Sequence, residues 1–417
     1  MPPMTQRIVI VGGGVIGLSA AFALHRRGCR VTLLTAGEPG EGASAVNAGW
    51  IVPSLSEPVP APGLVGTSLR WMRRSDSPLY IQPRPSPDLA RWLISFWRHC
   101  NARDYAAGLA ATAEINRRTF ALYDDLAAAG VQYEQHRTGV LFAYVSPAAL
   151  EHDLRATEPL RQFGIDVPSP LWGDAVRDLE PALGDAITGG YWFAQERHVR
   201  PDTLTAGLVD YLTAHGVDLR PHTRVTGFDR DRDRITNVVM DRGRLETDAV
   251  LLAAGAWTPS IARLAGARVP VQPGKGYCLD YAPPPVPVHH ALYLHEARVA
   301  VTPLTGLTRL AGTMEFSGLN DRIRPERTAA IARAAATALR DWPTDPSIAQ
   351  PGTGLRPMTP DGLPVIGLLK GFRNLAVATG HAMLGVTLAP ATADAIADVI
   401  TTARIPDVLR PFDPARF

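Results

Sequence analysis

Hydrophobic residues cluster at both ends of the chain in the same way. Arg7–Val11 reads RIVIV, a short β-branched run of the kind that forms a strand buried on both faces. A glycine turn, Gly12–Gly14, follows. Val15–Arg27 then has helical character, with small residues Ser19, Ala20, Ala21 and Ala23 that permit close packing on a sheet, and Gly28 supplies its stop. Val31–Leu34 is the next strand. Near the other end, NLAVATGH reads as a last buried strand and Val386–Thr402 as a last helix, with Pro390 near its start where proline is tolerated.

The middle is mixed. Gly37–Gly66 is rich in proline and glycine and shows little periodicity. Pro87–Gly130 reads largely as helix, Gly139–Val145 and Thr188–Phe193 as strands, and Pro201–His215 as a helix ended by Gly216. Short strands with charged turns run on to ETDAVLLAAGAW. Pro270–Gly318 alternates in strand fashion, and Pro325–Trp342 is an alanine-rich helix. A chain of 417 residues exceeds one small core. This order predicts an α/β protein with a discontinuous Rossmann-like nucleotide-binding domain (residues 1–62, 190–265 and 350–417). A mixed β/α substrate domain (63–189 and 266–349) would be set into it.

Composition narrows the classes. The chain is 46% apolar and 20% charged, with a formal charge of +2. Nothing in that balance calls for nucleic acid. Lys275 and Lys370 are the only lysines, so the positive charge is arginine. Three cysteines, Cys29, Cys100 and Cys278, with no C-x-x-C, argue against a disulfide framework or a zinc site and fit a reducing cytoplasm. The apolar run Ile8–Leu24 is glycine-rich and divides into strand and helix, so no transmembrane segment is expected. Ser68–Asn101 carries Trp71, Trp92 and Trp97 among Arg70, Arg73, Arg74, Arg91 and Arg98. Two readings suit it: a helical cover over the substrate domain, which is favoured, or a peripheral contact with the inner face of a membrane. No catalytic triad or metal-ligand spacing occurs. His289 and His290 are adjacent, point apart if on a strand, and are expected at the surface.

The candidate chemistry begins at the first turn. Gly12, Gly14 and Gly17 have the spacing G-x-G-x-x-G between a strand and a helix. The first glycine allows the turn, the second lets the backbone approach a pyrophosphate, and the third lets the helix pack closely. The helix N-terminus, with Val15 and Ile16, offers unpaired amides to phosphates. The acidic ribose ligand that usually follows the second strand is replaced by Thr35, with Glu38 three residues later as a substitute.

Further segments identify the dinucleotide. GASAVNAGW (Gly42–Trp50), LLAAGAW (Leu251–Trp257), GLRPMTPDGLPVIG (Gly354–Gly367) and GHAMLGVTLAPAT (Gly380–Thr392) together resemble the FAD-dependent amino-acid oxidase and dehydrogenase superfamily over nearly the whole chain. NAGWIVPS, GKGYCL, GTMEFSGLN and GLRPMTPDG look most like the small-subunit type of bacterial D-amino acid dehydrogenase.

The resemblance implies FAD as cofactor. It places Ser44, Asn47, Ala48 and Gly49 against the phosphates and flavin, Val225 by the adenine, and Ala254, Gly255 and Trp257 in the cofactor set. Gly380, Leu384, Gly385, Val386 and Thr387 would wrap the pyrimidine end of the flavin. Arg356 would pair with the substrate carboxylate beside the flavin, while Trp50, Tyr277 and His381 would line the pocket. The implied reaction is hydride transfer from Cα of a D-amino acid to flavin, followed by hydrolysis of the imine to a 2-oxo acid and ammonia. Some relatives attach the flavin to a cysteine before the T-P-D segment. Gly354 fills that place here, which implies noncovalent FAD. Sarcosine-oxidase relatives place a lysine over the flavin to assist oxygen. LTRLAGTMEF, the matching segment, has none, which implies a quinone or other carrier as electron acceptor. Alternatives of the same class are glycine, sarcosine or a cyclic secondary amino acid such as D-proline or hydroxyproline. A flavin-holding subunit without chemistry of its own is the alternative from another class.

Overall fold

The computed structural model describes residues 5–64, 79–82 and 85–417. Its first sheet has six strands in the order Asp218–Arg220, Arg30–Leu34, Arg7–Val11, Ala249–Leu252, Leu375–Thr379 and Val365–Leu368. The first five run parallel and the last antiparallel. Alternation along one strand divides the layers. Ile8 and Ile10 face the helices Val15–Arg26 and Gly385–Thr402, through Leu18, Ala21, Leu388 and Ile396. Val9 and Val11 face the other way, toward Ile235, Val238 and Met240 of a three-stranded antiparallel sheet. The small residues of the first helix matter here, because they let it lie against both the sheet and the last helix.

A second sheet has nine strands. Its main path runs Gln350–Met358, Gln272–Tyr281, Leu307–Phe316, Val299–Leu304, Ala291–Leu294, Val140–Tyr144, Gly189–Phe193 and Pro170–Trp172, and Leu79–Ile81 also pairs with Leu307–Phe316. The helix Pro325–Ala338 covers one face, with Ile331, Ala332 and Ala335 against Tyr277, Leu279, Leu292 and Leu310. A small sheet of Trp50–Ile51, Arg197–Val199 and Gln135–His136 completes the set.

Several details differ from the sequence expectation. Pro87–Gly130 is three helices, Pro87–His99, Ala102–Asn116 and Thr119–Ala128. Side-chain caps set the first two starts: Ser86 accepts from the Leu89 amide, and Asn101 from the Asp104 amide. The alanine-rich helix stops at Ala338, where Leu339 turns extended and buries its side chain. Pro147–Thr157, capped by Ser146, is a helix the pattern did not show. The strands Gln350–Met358 and Gly189–Phe193, expected with the nucleotide-binding unit, pair into the second sheet. His289 is exposed, but His290 lies on a connection and turns inward: its Nδ1 is 3.2 Å from Glu180 Oε2, and both backbone amides donate to that oxygen.

Helix Pro87–His99 turns Trp92 inward, where its indole N–H donates to the Met358 carbonyl at 3.0 Å, and turns Trp97 outward. The part of the aromatic–basic segment at Arg70, Trp71, Arg73 and Arg74 lies outside the described residues. Among the described residues no helix is long and apolar enough to cross a membrane.

Candidate active site

A cavity of about 1520 Å³ runs from the glycine turn, past the ends of the parallel strands, to residues of the second sheet. It exceeds the roughly 300–1,000 Å³ of an ordinary small-ligand pocket, so it has room for a dinucleotide and a second molecule.

At one end the turn Gly12–Gly14 leads into the helix Val15–Arg26. Gly12 has φ +123°, and a Cβ there would come within 2.4 Å of the Ala253 carbonyl oxygen, so only glycine permits the turn. Gly12, Gly14, Val15 and Ile16 form cavity wall. Gly17 does not: a Cβ on it would collide with the Gly12 carbonyl, so its work is to seat the helix. Ser44 reaches the same helix end, its Oγ accepting from the Val15 amide at 2.9 Å. The amides of Gly13, Gly14 and Ile16 keep no protein partner among the described residues. No acidic residue occupies the first turn. That is a site made for phosphate oxygens.

Beyond the second strand, Thr35 lines the cavity, held by backbone bonds to Arg220 and Thr223. Glu38 lines it too, but its carboxylate is 2.6 Å from His222 Nε2 rather than free. Glu41, whose Oε2 accepts from the Glu38 amide, stands beside it and was not foreseen. Val225, Ala254, Gly255 and the exposed Trp257 close this end.

The segment after Gly42 is fixed from several directions. Asn47 binds its own loop, donating to the Ala43 and Ser44 carbonyls and accepting from the Gly49 amide. Arg309, ion-paired to Asp280, donates to the Ala45 and Asn47 carbonyls. Gly49 has φ +74° and packs on the Val199 carbonyl, where any Cβ would clash. Trp50 is nearly buried; its indole N–H donates to Thr302 Oγ1 at 2.9 Å, and Thr302 in turn donates to the Ala48 carbonyl. Ala48, Gly49 and Trp50 therefore present a braced wall to the cavity.

The last helix points its N-terminus at the same cavity through Leu384, Gly385 and Val386. Gly380 and Thr387 lie beneath that wall. Gly380, at φ +81°, abuts Thr359, while Thr387 Oγ1 donates to the Trp50 carbonyl and accepts from the Val52 amide. His381 lines the cavity with Nε2 3.0 Å from Thr392 Oγ1 and no partner for Nδ1. Burial pushes its pKa down to about 3, so it stays neutral.

Arg356 and Tyr277 come from neighbouring strands of the second sheet. The Tyr277 hydroxyl is spent on Glu315 Oε2, at 2.7 Å, and burial with that carboxylate raises its pKa. Arg356 is different. It lies deep in the protein, and the surface it keeps open faces the cavity. Its Nη1 donates to the Thr313 carbonyl at 2.8 Å, yet no carboxylate pairs with it among the described residues. Burial lowers its pKa to about 10, still well above neutral. A buried guanidinium without a counter-ion is costly unless an anion enters.

The open helix-end amides, the glycine cradle and the cavity volume together fit FAD. Comparison with known proteins agrees. The chain matches the family model for FAD-dependent oxidoreductases of the DAO type over residues 7–399, and belongs to that family. The chain is 33% identical over 408 residues to a D-amino acid dehydrogenase of Rhizorhabdus wittichii, covering 95% of this chain and 96% of that one. It is also 33% identical over 421 residues to one of Methylobacterium nodulans, covering 97% of each. Among solved structures, glycine oxidase from Geobacillus kaustophilus superposes with a TM-score of 0.77 at 23% identity, over 99% of this chain and 100% of that one, a likeness of fold. The protein is an FAD-dependent oxidoreductase with a Rossmann-like cofactor fold.

Proposed function

We propose that the chain oxidises the Cα–N bond of a D-amino acid, giving a 2-oxo acid and ammonia after hydrolysis of the imine. The observation that carries this reading is Arg356, a half-buried guanidinium that faces the cavity with no carboxylate partner among the described residues. Its fork suits the two oxygens of an α-carboxylate. The names of the curated relatives point to the same substrate class. When bound, FAD supplies the two-electron acceptor for the Cα hydrogen.

The chain's own part is binding and orientation. Gly12, Gly14, Val15 and Ile16 hold the pyrophosphate, with Ser44 bracing the helix end. Thr35 and Glu38 serve the ribose. Ala48, Gly49, Trp50 and the end of the last helix hold the flavin. Arg356 fixes the carboxylate, and Trp50, Tyr277 and His381 shape the space around Cα. FAD is held noncovalently, in keeping with a cavity wall that contains none of the three cysteines. Electrons leave to a quinone or similar carrier. Glycine, sarcosine or a cyclic secondary amino acid is the alternative substrate of the same class.

The test is anaerobic bleaching of the flavin by matched D- and L-amino acids. Anchoring the carboxylate and flavin fixes two directions at Cα, and the side chain must take a third. D-alanine and D-proline should reduce the flavin faster than their L-forms; the reverse order would overturn the assignment.

A further inference from the structure

The same cavity is also lined by a second charged corner built from other elements. Glu57 follows the turn Pro53–Leu55, Tyr105 lies on Ala102–Asn116, and Asp153 on Pro147–Thr157. His295 and Arg298 come from the connection between Ala291–Leu294 and Val299–Leu304. Partners are shared unevenly among them. Asp153 Oδ2 lies 2.9 Å from His295 Nδ1 and accepts from the Tyr144 hydroxyl at 3.0 Å. Glu57 has only the neutral Tyr105 hydroxyl, and no ion pair among the described residues. Arg298 gives Nη1 to the Tyr293 hydroxyl at 3.3 Å and has no carboxylate within ion-pair distance among them. Glu57 and Arg298 feel each other's charge but do not close into a salt bridge.

Asp153 also acts on Arg298, and His152 lines the cavity and acts on Glu57. This leaves a space whose acidic side carries Glu57 and Asp153 and whose basic side carries Arg298, both open to the cavity. An apolar occupant would desolvate both charges without pairing either. A lone cation would meet Glu57 but oppose Arg298, and a lone anion the reverse. The corner also shares no residue with the immediate surroundings of Arg356, which are Thr313, Met314 and Gly276. A ligand held by both must therefore reach two separate sets of groups.

We propose that this corner binds the far end of the substrate and selects a side chain whose terminus carries both an ammonium, set against Glu57, and a carboxylate, set against Arg298. The inference rests on the amino-acid-oxidising reading above and names its substrate class: a long diamino diacid, or a molecule ending in a second zwitterion.

The test is a series of similar chain length: D-norleucine, D-lysine, D-2-aminoadipate and meso-2,6-diaminoheptanedioate, each scored by kcat/KM with a redox dye. The diamino diacid should exceed D-norleucine about ten- to a hundredfold, the worth of hydrogen bonds to charged groups. Glu57→Gln should shrink that ratio and shift preference toward D-2-aminoadipate. Arg298→Met should shrink it and shift preference toward D-lysine. The flavin spectrum of each variant checks its folding; if one variant fails to hold FAD, the other and the wild-type series still decide. D-norleucine matching the diamino diacid, or D-lysine outrunning it in the wild type, overturns the inference. Failure of every D-amino acid, D-alanine included, defeats the underlying reading as well.

Discussion

Lys275 Nζ lies 3.0 Å from Glu315 Oε1, between adjacent strands and almost sealed from solvent. The ammonium also donates to Asn320 Oδ1 and the Arg322 carbonyl, and Glu315 accepts from Tyr277. Breaking one side of such a pair leaves a buried charge. Lys275→Met should therefore destabilise by about 3–5 kcal/mol, and Lys275→Met combined with Glu315→Leu by less. Burial alone would raise the Glu315 pKa, but hydrogen bonds from Ser317, Tyr277 and Lys275 and the lysine charge hold it below the usual carboxylate range. Its contribution is thus present above about pH 4.3, the unfolded value, and lost as pH falls through the lower native value. Urea unfolding at pH 3 to 6 should show a steeper acid loss for wild type than for Glu315→Gln. Parallel curves would remove the carboxylate from the explanation.

Arg356→Ala should keep FAD and lose carboxylate recognition. The expected cost in kcat/KM is on the order of 2–5 kcal/mol for a buried charge-assisted pair. Arg356→Lys should recover only part, since a point charge cannot reproduce the fork. An alanine variant with near-normal turnover at low substrate would end the assignment.

Glu196 is buried behind the cavity wall. One carboxyl oxygen accepts from the Ser54 amide at 3.0 Å and the other has no partner among the described residues. Burial raises its pKa to about 8, with the Ser54 bonds only partly opposing. In the native state it stays protonated while the unfolded chain ionises above about pH 4.3, so it costs stability progressively as pH rises toward 8. Glu196→Gln should gain on wild type by about 2–4 kcal/mol between pH 5 and pH 8. Melting temperatures of the two proteins that move together across that range would contradict this.

The glycine turn was readable in the sequence because its physics is local. Gly17 is demanded by the Gly12 carbonyl within one strand–turn–helix unit, while Gly12 is also demanded by the Ala253 carbonyl of the neighbouring strand's end. Strand Gln350–Met358 is expected with the nucleotide unit because its chain neighbours belong there. Its pairing, with Arg356 opposite Gly274 and Gly354 opposite Gly276, is decided by a strand distant in sequence. The corner of Glu57, Asp153 and Arg298 leaves no pattern at all, since two connections and a helix, all distant in sequence, bring it together. The break at Asn101 did carry a signal that the helical pattern masked, an N-cap asparagine three residues before Asp104.

Acid precipitation should release free FAD into the supernatant. Cys29 and Cys278 are buried, and neither they nor Cys100 line the cavity. Yellow colour that stays with the washed, denatured pellet would show a covalent link.

The electron acceptor should be a carrier rather than oxygen. Lys275 faces Leu307–Phe316, the strand on which sarcosine-oxidase relatives carry their flavin lysine, but its ammonium is tied to Glu315, Asn320 and the Arg322 carbonyl and forms no part of the cavity wall. Lys370 does not line the cavity either. No lysine ammonium is thus placed to assist oxygen at the flavin. The cavity rim instead exposes Trp97, Trp257 and Met383, flat or pliable apolar side chains that suit a quinone ring. With a reducing D-amino acid, turnover with a soluble quinone analogue under nitrogen should exceed peroxide formation in air at least about tenfold, a barrier difference of about 1.4 kcal/mol. Peroxide formed stoichiometrically and equally fast would make the enzyme an oxidase, and would require another group at the flavin to do what the buried lysine cannot.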